Sequence, residues 1–443
     1  MKSLKFIAIL FASSVILNAC KKDDPKDDQI DPSVKATLSG DITENKTFTS
    51  NDTVLLPAFA YVKSGITITF EAGTIIKGSG KGALIIEQGA KLICNGTQEK
   101  PVVFTSAQEA GQRQPGDWGG VVLLGKAPTN RSTPPLAEGA INRSYGGNDP
   151  QDNSGSLKYV RIEYAGVVAE QNSEINGLTC YGVGNGTVLE NIMVSYGNDD
   201  AYEFFGGTVN AKNLIAFATG DDDYDFDFGY VGKIQYAIAL RDPSKADAAD
   251  PSNGIECDND KDGTLAEPFT RPNLSNFTLI GPNGAANTLP NHAFAARFRR
   301  SARFSLRNSI ILGHAQGGLA LEKDITIQAY YTDKRSEFKN NIIQAVKLPY
   351  VILGSTIITD ADLEVRAVTD GNTKFSTSTD AGLTNITNIN SPNFMPSGIS
   401  PAKTGANYDG LDDFFTKGTF RGAIGDNDWT KSWTNFNPQT TKY

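Results

Sequence analysis

Histidine, cysteine and long apolar runs are all scarce in this chain. Two histidines and four cysteines among 443 residues leave little material for zinc chemistry or for a histidine-activated nucleophile. After Cys20, no apolar stretch approaches the roughly 20 residues that a membrane-spanning helix requires. The 41 basic residues are outnumbered by 50 acidic ones, which argues against nucleic acid as a partner.

The one long apolar segment lies at the N-terminus. Lys2 and Lys5 precede an apolar run over residues 6–17. Together they match a secretory signal, with the lysines as its n-region and the apolar run as its h-region. Leu17-Asn18-Ala19-Cys20 resembles the bacterial lipobox, in which the cysteine is lipidated. We therefore predict a signal peptide over residues 1–19 and a lipid anchor on Cys20, through which the protein contacts the outer membrane.

Charged residues follow this cysteine directly. Residues 20–35, with the run KKDDPKDD at 21–28, have nothing to bury and are predicted to form a short tether. Acidic residues behind a lipidated cysteine resemble the surface-export signal of Bacteroidota lipoproteins. This resemblance implies an outer-membrane protein that faces the cell exterior, with a periplasm-facing lipoprotein as the alternative.

A repeated unit predicts that residues 36–443 form a single domain. Its third position falls at Tyr159, Asn191, Asn213, Asn276, Asn308 and Asn340, with spacings of 32, 22, 63, 32 and 32. A coil of 22 residues with insertions of about ten fits these spacings, and helical periodicity is nearly absent. We therefore predict an all-β fold, a single-stranded right-handed parallel β-helix. The asparagines are interpreted as a structural amide ladder.

The ends of this solenoid and its cysteines are also assigned from pattern. Open sheet ends must be covered, and residues 47–62 are predicted to cap one end. The C-terminal segment, about 400–443, is predicted to close the other end with Phe414, Phe415, Trp429, Trp433 and Phe436. Cys94, Cys180 and Cys257 alternate with apolar neighbours and are predicted to be core thiols; a disulfide, such as one between Cys180 and Cys257, is the alternative.

Several motifs resemble a family of large β-helix lipoproteins of the Bacteroidota. They are Glu71–Thr74, Gly89–Leu92, Pro101–Ser106, Gly116–Gly125 and the ending Gly422–Gly425 with Trp429, Trp433 and Pro438. The resemblance covers essentially the whole mature chain. It implies a pectin-lyase-like right-handed β-helix and outer-membrane placement, and it carries no established activity.

Acidic residues recur at the 22-residue offset. The segment DDAYEF at 199–204 aligns with DDDYDF at 221–226, and apolar residues take the inward positions. Glu203, Asp225, Glu256 and Arg297 are therefore predicted to form one column on an outer face, about 4.8 Å apart. Stacked carboxylates repel, so this column requires a metal ion, shared protons or arginine; Arg299, Arg300 and Arg303 could also supply the cations.

Two patterns predict Ca²⁺ as the cofactor, and no organic cofactor is expected. Asp258, Asp260 and Asp262, with Gly263, have the spacing of an EF-type loop, although Phe269 occupies the place of the closing carboxylate. The alternating run that contains Asp221 and Asp223 is the second pattern. A solvated acidic loop is the alternative.

Two functions follow from these residues. The preferred hypothesis is non-catalytic capture or scaffolding, with a glycan and an outer-membrane importer as partners, because aromatic rings beside carboxylates suit sugars. Its ligand-binding residues would be Tyr202, Glu203, Tyr224, Asp225, Glu256 and Arg297. The alternative is a polysaccharide lyase or glycoside hydrolase that uses Asp200, Asp222, Glu203, Asp225 and Arg297. Insertions at 126–156, 241–253 and 261–273 flank these residues.

Overall fold

Short strands dominate the chain from its first described residue. The computed structural model describes residues 34–443, apart from 133, 171 and 172, so the predicted signal peptide, Cys20 and most of the tether lie outside the described residues. The strands are β1 Val34–Thr37, β2 Gly40–Ile42, β3 Lys46–Phe48, β4 Thr53–Leu56, β5 Phe59–Val62, β6 Thr67–Glu71, β7 Ile75–Gly78, β8 Ala83–Ile86, β9 Lys91–Asn95, β10 Val102–Ser106, β11 Val121–Leu124, β12 Gly155–Glu163, β13 Val168–Glu170, β14 Ser173–Glu174, β15 Leu178–Tyr181, β16 Val188–Ser195, β17 Tyr202–Phe205, β18 Asn210–Phe217, β19 Tyr224–Asp227, β20 Lys233–Leu240, β21 Ile255–Cys257, β22 Asn273–Ile280, β23 Phe294–Phe298, β24 Ser305–Arg307, β25 Ile310–His314, β26 Gly317–Glu322, β27 Glu337–Lys339, β28 Ile342–Ala345, β29 Leu348–Leu353, β30 Thr373–Lys374, β31 Leu383–Asn385 and β32 Asn393–Pro396. The helices are α1 Asp324–Tyr331 and α2 Asp360–Thr369, with three short 3₁₀ turns near the C-terminus.

Two long parallel sheets run the length of the molecule. Sheet 1 contains 17 strands and sheet 2 contains 11, in the order β2-β5-β8-β11-β15-β17-β19-β21-β23-β26-β29. Each strand pairs with the equivalent strand of the next coil rather than with its neighbour in sequence. This is the predicted right-handed parallel β-helix, in which hydrogen bonds between coils stabilise a chain with few helices.

The interior is a stack of apolar side chains from successive coils. In sheet 2, Cys180, Phe204, Phe226 and Cys257 occupy one column in register. The three described cysteines are buried free thiols, as alternation predicts, and burial raises the pKa of each. Three inter-coil steps separate Cys180 from Cys257, about 14 Å, so a disulfide between them is excluded by distance.

The residues at the third repeat position bend the strands of sheet 1. Asn191, Asn213, Asn276, Asn308 and Asn340 all have a left-handed φ, between 55° and 61°, and Tyr159 and Tyr236 do the same in their coils. Asparagine tolerates this conformation better than most residues, which explains the repeat. Their amides do not form the predicted ladder: Asn276 and Asn308 donate to the carbonyls of Phe420 and Asn407 in the C-terminal segment.

Both predicted end caps differ from the structure. Residues 47–62 contain β4 and β5, which pair with β7 and β8 as parts of an ordinary coil, and β1 already belongs to the coil before them. At the other end, α2 packs against β29 and buries Leu363 and Ala367 in the core. Thr359 begins this helix with a capping box to Asp362.

The C-terminal segment instead runs back along the side of the solenoid. Its Ile424 and Trp433 pack with Met193, Ile215 and Ile238 on the outer face of sheet 1. Tyr443 reaches coils far from the C-terminal end, where its hydroxyl donates to Glu163 Oε1 at 2.7 Å. Apolar residues on the outer face of sheet 1 explain this path, because a cap at the end would leave them in water.

An insertion covers part of the outer face of sheet 2 in the same way. Outward-facing Ile85 and Val122 pack with Ala137, Ile141 and Tyr145 of the segment after β11. The acidic column therefore lies on a sheet whose outer face is partly enclosed by its own loops.

In the described part of the chain, no helix is both long and apolar enough to cross a membrane.

Candidate functional site

Register places the predicted acidic column on consecutive coils of sheet 2. Glu203 pairs with Asp225, Asp225 with Glu256, and Glu256 with Arg297. All four side chains point away from the solenoid core because their sequence neighbours on the strands point into it. They are nevertheless at most partly exposed.

A second acidic column precedes these strands and holds backbone amides. Asp200 Oδ1 accepts the amide of Asp222 at 2.8 Å, and Asp222 Oδ1 accepts the amide of Asn253. Asn253 Oδ1 in turn accepts the amide of Phe294 at 3.2 Å. Each side chain therefore forms a hydrogen bond between its coil and the next. One oxygen of Asp200 and one of Asp222 already accept such a bond.

Carboxylates of the two columns and of the residues next to them approach one another closely. Asp199, Asp200 and Asp221 each have an oxygen within 4.8 Å of the others, and so do Asp200, Glu203 and Asp225. Asp200 belongs to both groups, so the five carboxylates form one cluster, which we call the acidic cluster. Oxygen ligands at this spacing suit a hard divalent cation such as Ca²⁺.

Two oxygens of the acidic cluster are buried and have no hydrogen-bond partner. They are Asp221 Oδ1 and Asp225 Oδ1. Glu203, by contrast, accepts a hydrogen bond from the amide nitrogen of Asn176. A buried carboxylate oxygen without a donor is costly, and a bound cation would satisfy both of these atoms.

Burial raises the pKa of every member of the acidic cluster. It raises the pKa of Asp199 to about 7, with Glu174 and Asp247 adding repulsion. The pKa values of Asp200, Glu203, Asp221 and Asp225 are also raised well above the ordinary range, first by burial and then by neighbouring carboxylates. In the absence of a cation, protons therefore reduce the charge of this cluster.

Arginines neutralise the other end of the column. Arg297 donates to Glu322 Oε2 at 2.7 Å and lies 3.7 Å from Glu256. Arg299 bonds Glu256 and also Asp258, the latter at 2.9 Å from Nε to Oδ1. Burial nonetheless raises the pKa of Glu256 to about 8, with Asp222 as a further cause. Arg297 is therefore engaged with carboxylates of its own chain.

Two of the three carboxylates of the predicted EF-type loop already have partners within the chain. Asp258 is occupied by Arg299 and by Arg300, whose Nη1 lies 2.6 Å from Asp258 Oδ2. Asp260 accepts the amides of Asp262 and Thr264 at 2.9 and 3.0 Å, and Asp262 is exposed. Asp223 is engaged through its Oδ1, which lies 3.1 Å from Arg241 in an almost completely buried ion pair, while its Oδ2 has no hydrogen-bond partner. Of the predicted metal ligands, only Asp221 lies in the acidic cluster.

The prediction that Tyr202 and Tyr224 bind a sugar through their rings is wrong. Tyr202 and Tyr224 have no exposed surface, and their rings stack in the core with centroids 5.2 Å apart. Their hydroxyls donate to the carbonyls of Ile192 and Ile238 at 2.7 and 2.8 Å. Alternation accounts for this burial, since their neighbours Glu203 and Asp225 point outward. Neither ring can stack on a sugar.

Some residues of the site were not predicted from the sequence. Asp199 lies one coil from Asp221, and the 22-residue offset would have indicated it. Asn176 and Asn253 lie in irregular segments, so no periodic signal points to them. A cavity of about 270 Å³ is lined by Asn198 and Gly220, the residues that precede Asp199 and Asp221 in sequence. Its lining is Pro115, Gly197, Asn198, Gly220, Ser244, Lys245, Ala246, Asp247 and Ala248.

Comparison with known families agrees with this architecture. A family model described as a pectate-lyase like beta helix domain matches residues 40–434. No curated protein and no solved structure matches the chain significantly. The match spans every coil that contributes to the acidic cluster.

Proposed function

The chain belongs to the pectate-lyase-like β-helix family, and from that premise we propose that it is a calcium-stabilised capture or scaffold lipoprotein of the outer membrane. Its ligand would be a glycan held on the surface of the loops, and an outer-membrane importer would be a partner. The observation that carries the cation site is the pair of buried, unpartnered oxygens, Asp221 Oδ1 and Asp225 Oδ1.

The contacts of the acidic cluster favour a structural cation. Asp200 and Asp222 hold amides of neighbouring coils, and Asn176 and Asn253 connect the surrounding loops to Glu203 and Asp222. A cation bound to Asp199, Asp200, Glu203, Asp221 and Asp225 would fasten these loops to sheet 2. The surface that the loops form would then keep one shape, which is a requirement of selective capture.

The same contacts give no support to a lyase or hydrolase. Arg297 is committed to Glu322 and Glu256 rather than free to polarise a substrate. Asp200 and Asp222 are committed to backbone amides. The cavity beside the cluster, about 270 Å³, is smaller than the roughly 300–1,000 Å³ typical of ligand pockets.

Capture and cleavage predict different products from the same incubation. We expect the purified protein to retain a polysaccharide without shortening it, when a polyuronate and a neutral glucan are each tested with calcium and with chelator. Chromatography for retained glycan and assays for unsaturated and reducing ends supply the readouts. New chain ends that disappear in Asp225→Asn would establish catalysis and overturn the capture role.

The lipid anchor rests on the sequence of the leader. We expect Cys20→Ala to release the protein from membranes into the soluble fraction, because acyl chains contribute about 0.8 kcal/mol for each buried methylene. Replacing Asp23, Asp24, Asp27 and Asp28 with asparagine should protect the protein from protease added to intact cells. If this second variant stays as accessible as the parent, the surface assignment fails and only the anchor remains.

A further inference from the structure

Three arginines occupy one column on a corner of the solenoid, away from the acidic cluster. Asn273, Ser305 and Glu337 pair in register on β22, β24 and β27, and each has an arginine two residues before it: Arg271, Arg303 and Arg335. The Arg303 amide donates to the carbonyl of Thr270 at 2.9 Å, so the coils are also in contact at this corner. The backbones that carry these arginines therefore lie about 4.8 Å apart from one coil to the next. We call them the arginine column.

The charges of the arginine column are poorly compensated. Among the described residues, neither Arg271 nor Arg303 forms an ion pair, and the Arg303 guanidinium donates no hydrogen bond; it lies 3.4 Å from the centroid of the Phe269 ring. Arg335 is paired only with Asp333, at 3.8 Å and with both side chains about half exposed. Burial and the charges of Arg335 and Arg271 lower the pKa of Arg303 more than the carboxylates of Glu267 and Asp333 raise it.

Nearby carboxylates fill this role only in part: Glu267 and Asp333 act on the charge of Arg303, but among the described residues neither forms an ion pair with it. Glu337 is taken by Arg307 and by Lys339, whose Nζ lies 2.9 Å from Glu337 Oε1. Arg271 uses Nε on the carbonyl of Arg335, at 3.1 Å, and one terminal nitrogen on Asn273. Stacked like charges on successive coils repel, so an external anion would lower the energy of this corner. Phe269 holds the Arg303 plane in place beforehand.

We propose that the arginine column binds a soluble sulfated or phosphorylated polysaccharide, with successive anionic groups on successive coils. Guanidinium groups bind tetrahedral oxyanions through paired N–H donors, and a polymer can meet several of them at once. This inference names a ligand class for the proposed capture role. It uses residues outside the acidic cluster and does not require the cation.

The position of the arginine column favours a soluble polymer over lipid phosphates of the membrane that anchors the chain. Sheet 1 passes from β1 through β4, β7, β10, β12, β16, β18 and β20 before it reaches β22, where the column begins. These eight steps place the column about 40 Å along the axis from the first strand. The N-terminal tether would attach at that distant end.

Binding of dextran sulfate tests this inference. We expect the anchor-free protein to bind dextran sulfate and to ignore neutral dextran, in calcium and in chelator alike. The double variant Arg271→Gln and Arg303→Gln should lose at least tenfold in affinity by calorimetry. Arg131→Gln is the matched control, because Arg131 is exposed and also lies over an aromatic ring, Phe228, at 4.7 Å. It should change affinity less than twofold.

Further variants keep the test decisive. Arg303→Lys should retain part of the binding, since it keeps the charge and loses the planar fork. If the double variant does not fold, Arg335→Gln at an exposed position replaces it, with a loss of about threefold expected. Equal losses in Arg131→Gln and in the column variants would overturn the inference, as would tighter binding to anionic lipid vesicles than to dextran sulfate. Polymer binding that requires calcium would reassign it to the acidic cluster.

Discussion

Asp221 and Asp225 show how single residues create a demand for a ligand. Each side chain is only partly exposed, and the Oδ1 atom of each is buried and lacks a hydrogen-bond donor. An ionised carboxylate in such a place costs several kcal/mol unless it is paired or protonated. Ca²⁺, which takes oxygen ligands in flexible geometry, would remove this cost for both residues.

Calcium should therefore raise the stability of the protein through these two residues. We expect the melting temperature to rise with Ca²⁺, because a ligand at about 100 times its Kd adds about 2.7 kcal/mol to the free energy of unfolding. Asp221→Asn and Asp225→Asn should each remove most of that rise. Scanning calorimetry with Ca²⁺ and with chelator measures both effects.

Asp262→Asn is the matched control for the calcium experiment. Asp262 is an exposed aspartate of the EF-like sequence, outside the acidic cluster, so its substitution should leave the calcium effect intact. A calcium effect that disappears in Asp262→Asn and persists in Asp225→Asn would return the site to that loop. Superimposed melting curves for the parent would eliminate calcium altogether.

At the scale of the element, one backbone conformation organises sheet 1. A left-handed residue in the middle of each long strand bends it, and its two halves pair separately with a neighbouring coil, as β12 does with β9 and β10. Asn308 has two roles. It bends the chain, and its side chain accepts a hydrogen bond from the Asn407 amide at 2.8 Å and donates one to the Asn407 carbonyl at 3.1 Å. The bend and the attachment of the C-terminal segment therefore depend on the same residue.

Paired substitutions separate these two contributions. Asn308→Ala and Asn308→Gly lose the same side-chain bonds, but only alanine is strained at a φ of 55°. We expect the glycine variant to be more stable than the alanine variant by about 1 kcal/mol in chemical denaturation. At Asn210, which does not have a positive φ, the alanine variant should instead be more stable than the glycine variant. If the glycine and alanine variants ranked the same in stability at both positions, the left-handed conformation at Asn308 would not explain the difference.

At the scale of the whole molecule, buried carboxylates make stability depend on pH. Folding raises the pKa of Asp199 from 3.8 to about 7 and that of Glu256 from 4.5 to about 8. The folded state then binds more protons than the unfolded state between these values, so stability falls as pH rises. The favourable contribution is complete below about pH 4 and is lost by about pH 8.

In chelator, the melting temperature should therefore decrease from pH 5 to pH 8. Saturating Ca²⁺ should flatten this decrease, because the cation replaces the protons as the balancing charge. Asp221→Asn should flatten it partly without calcium, since one repelling charge is gone. A melting temperature that rises with pH over this range in chelator would show that the cluster is ionised and compensated in another way.

Much of the fold could be predicted because its signals are local. Alternation and the 22-residue offset place Glu203, Asp225, Glu256 and Arg297 in one column, and the register of β17, β19, β21 and β23 agrees. The same alternation should have excluded the tyrosines, since Tyr202 is adjacent to an outward Glu203. The EF-like spacing was misleading because spacing alone does not reveal that arginines of the next coil bind Asp258.

The amino-acid sequence by itself determined the solenoid and the inward and outward faces of its strands, since both follow from the alternation of neighbouring residues. Only the tertiary structure decided which carboxylates stay unpartnered, where the C-terminal segment lies and what encloses sheet 2. Those outcomes depend on contacts such as Tyr443 with Glu163, which are 280 residues apart in sequence. Packing of the remaining apolar surface selects such contacts, and no local pattern encodes them.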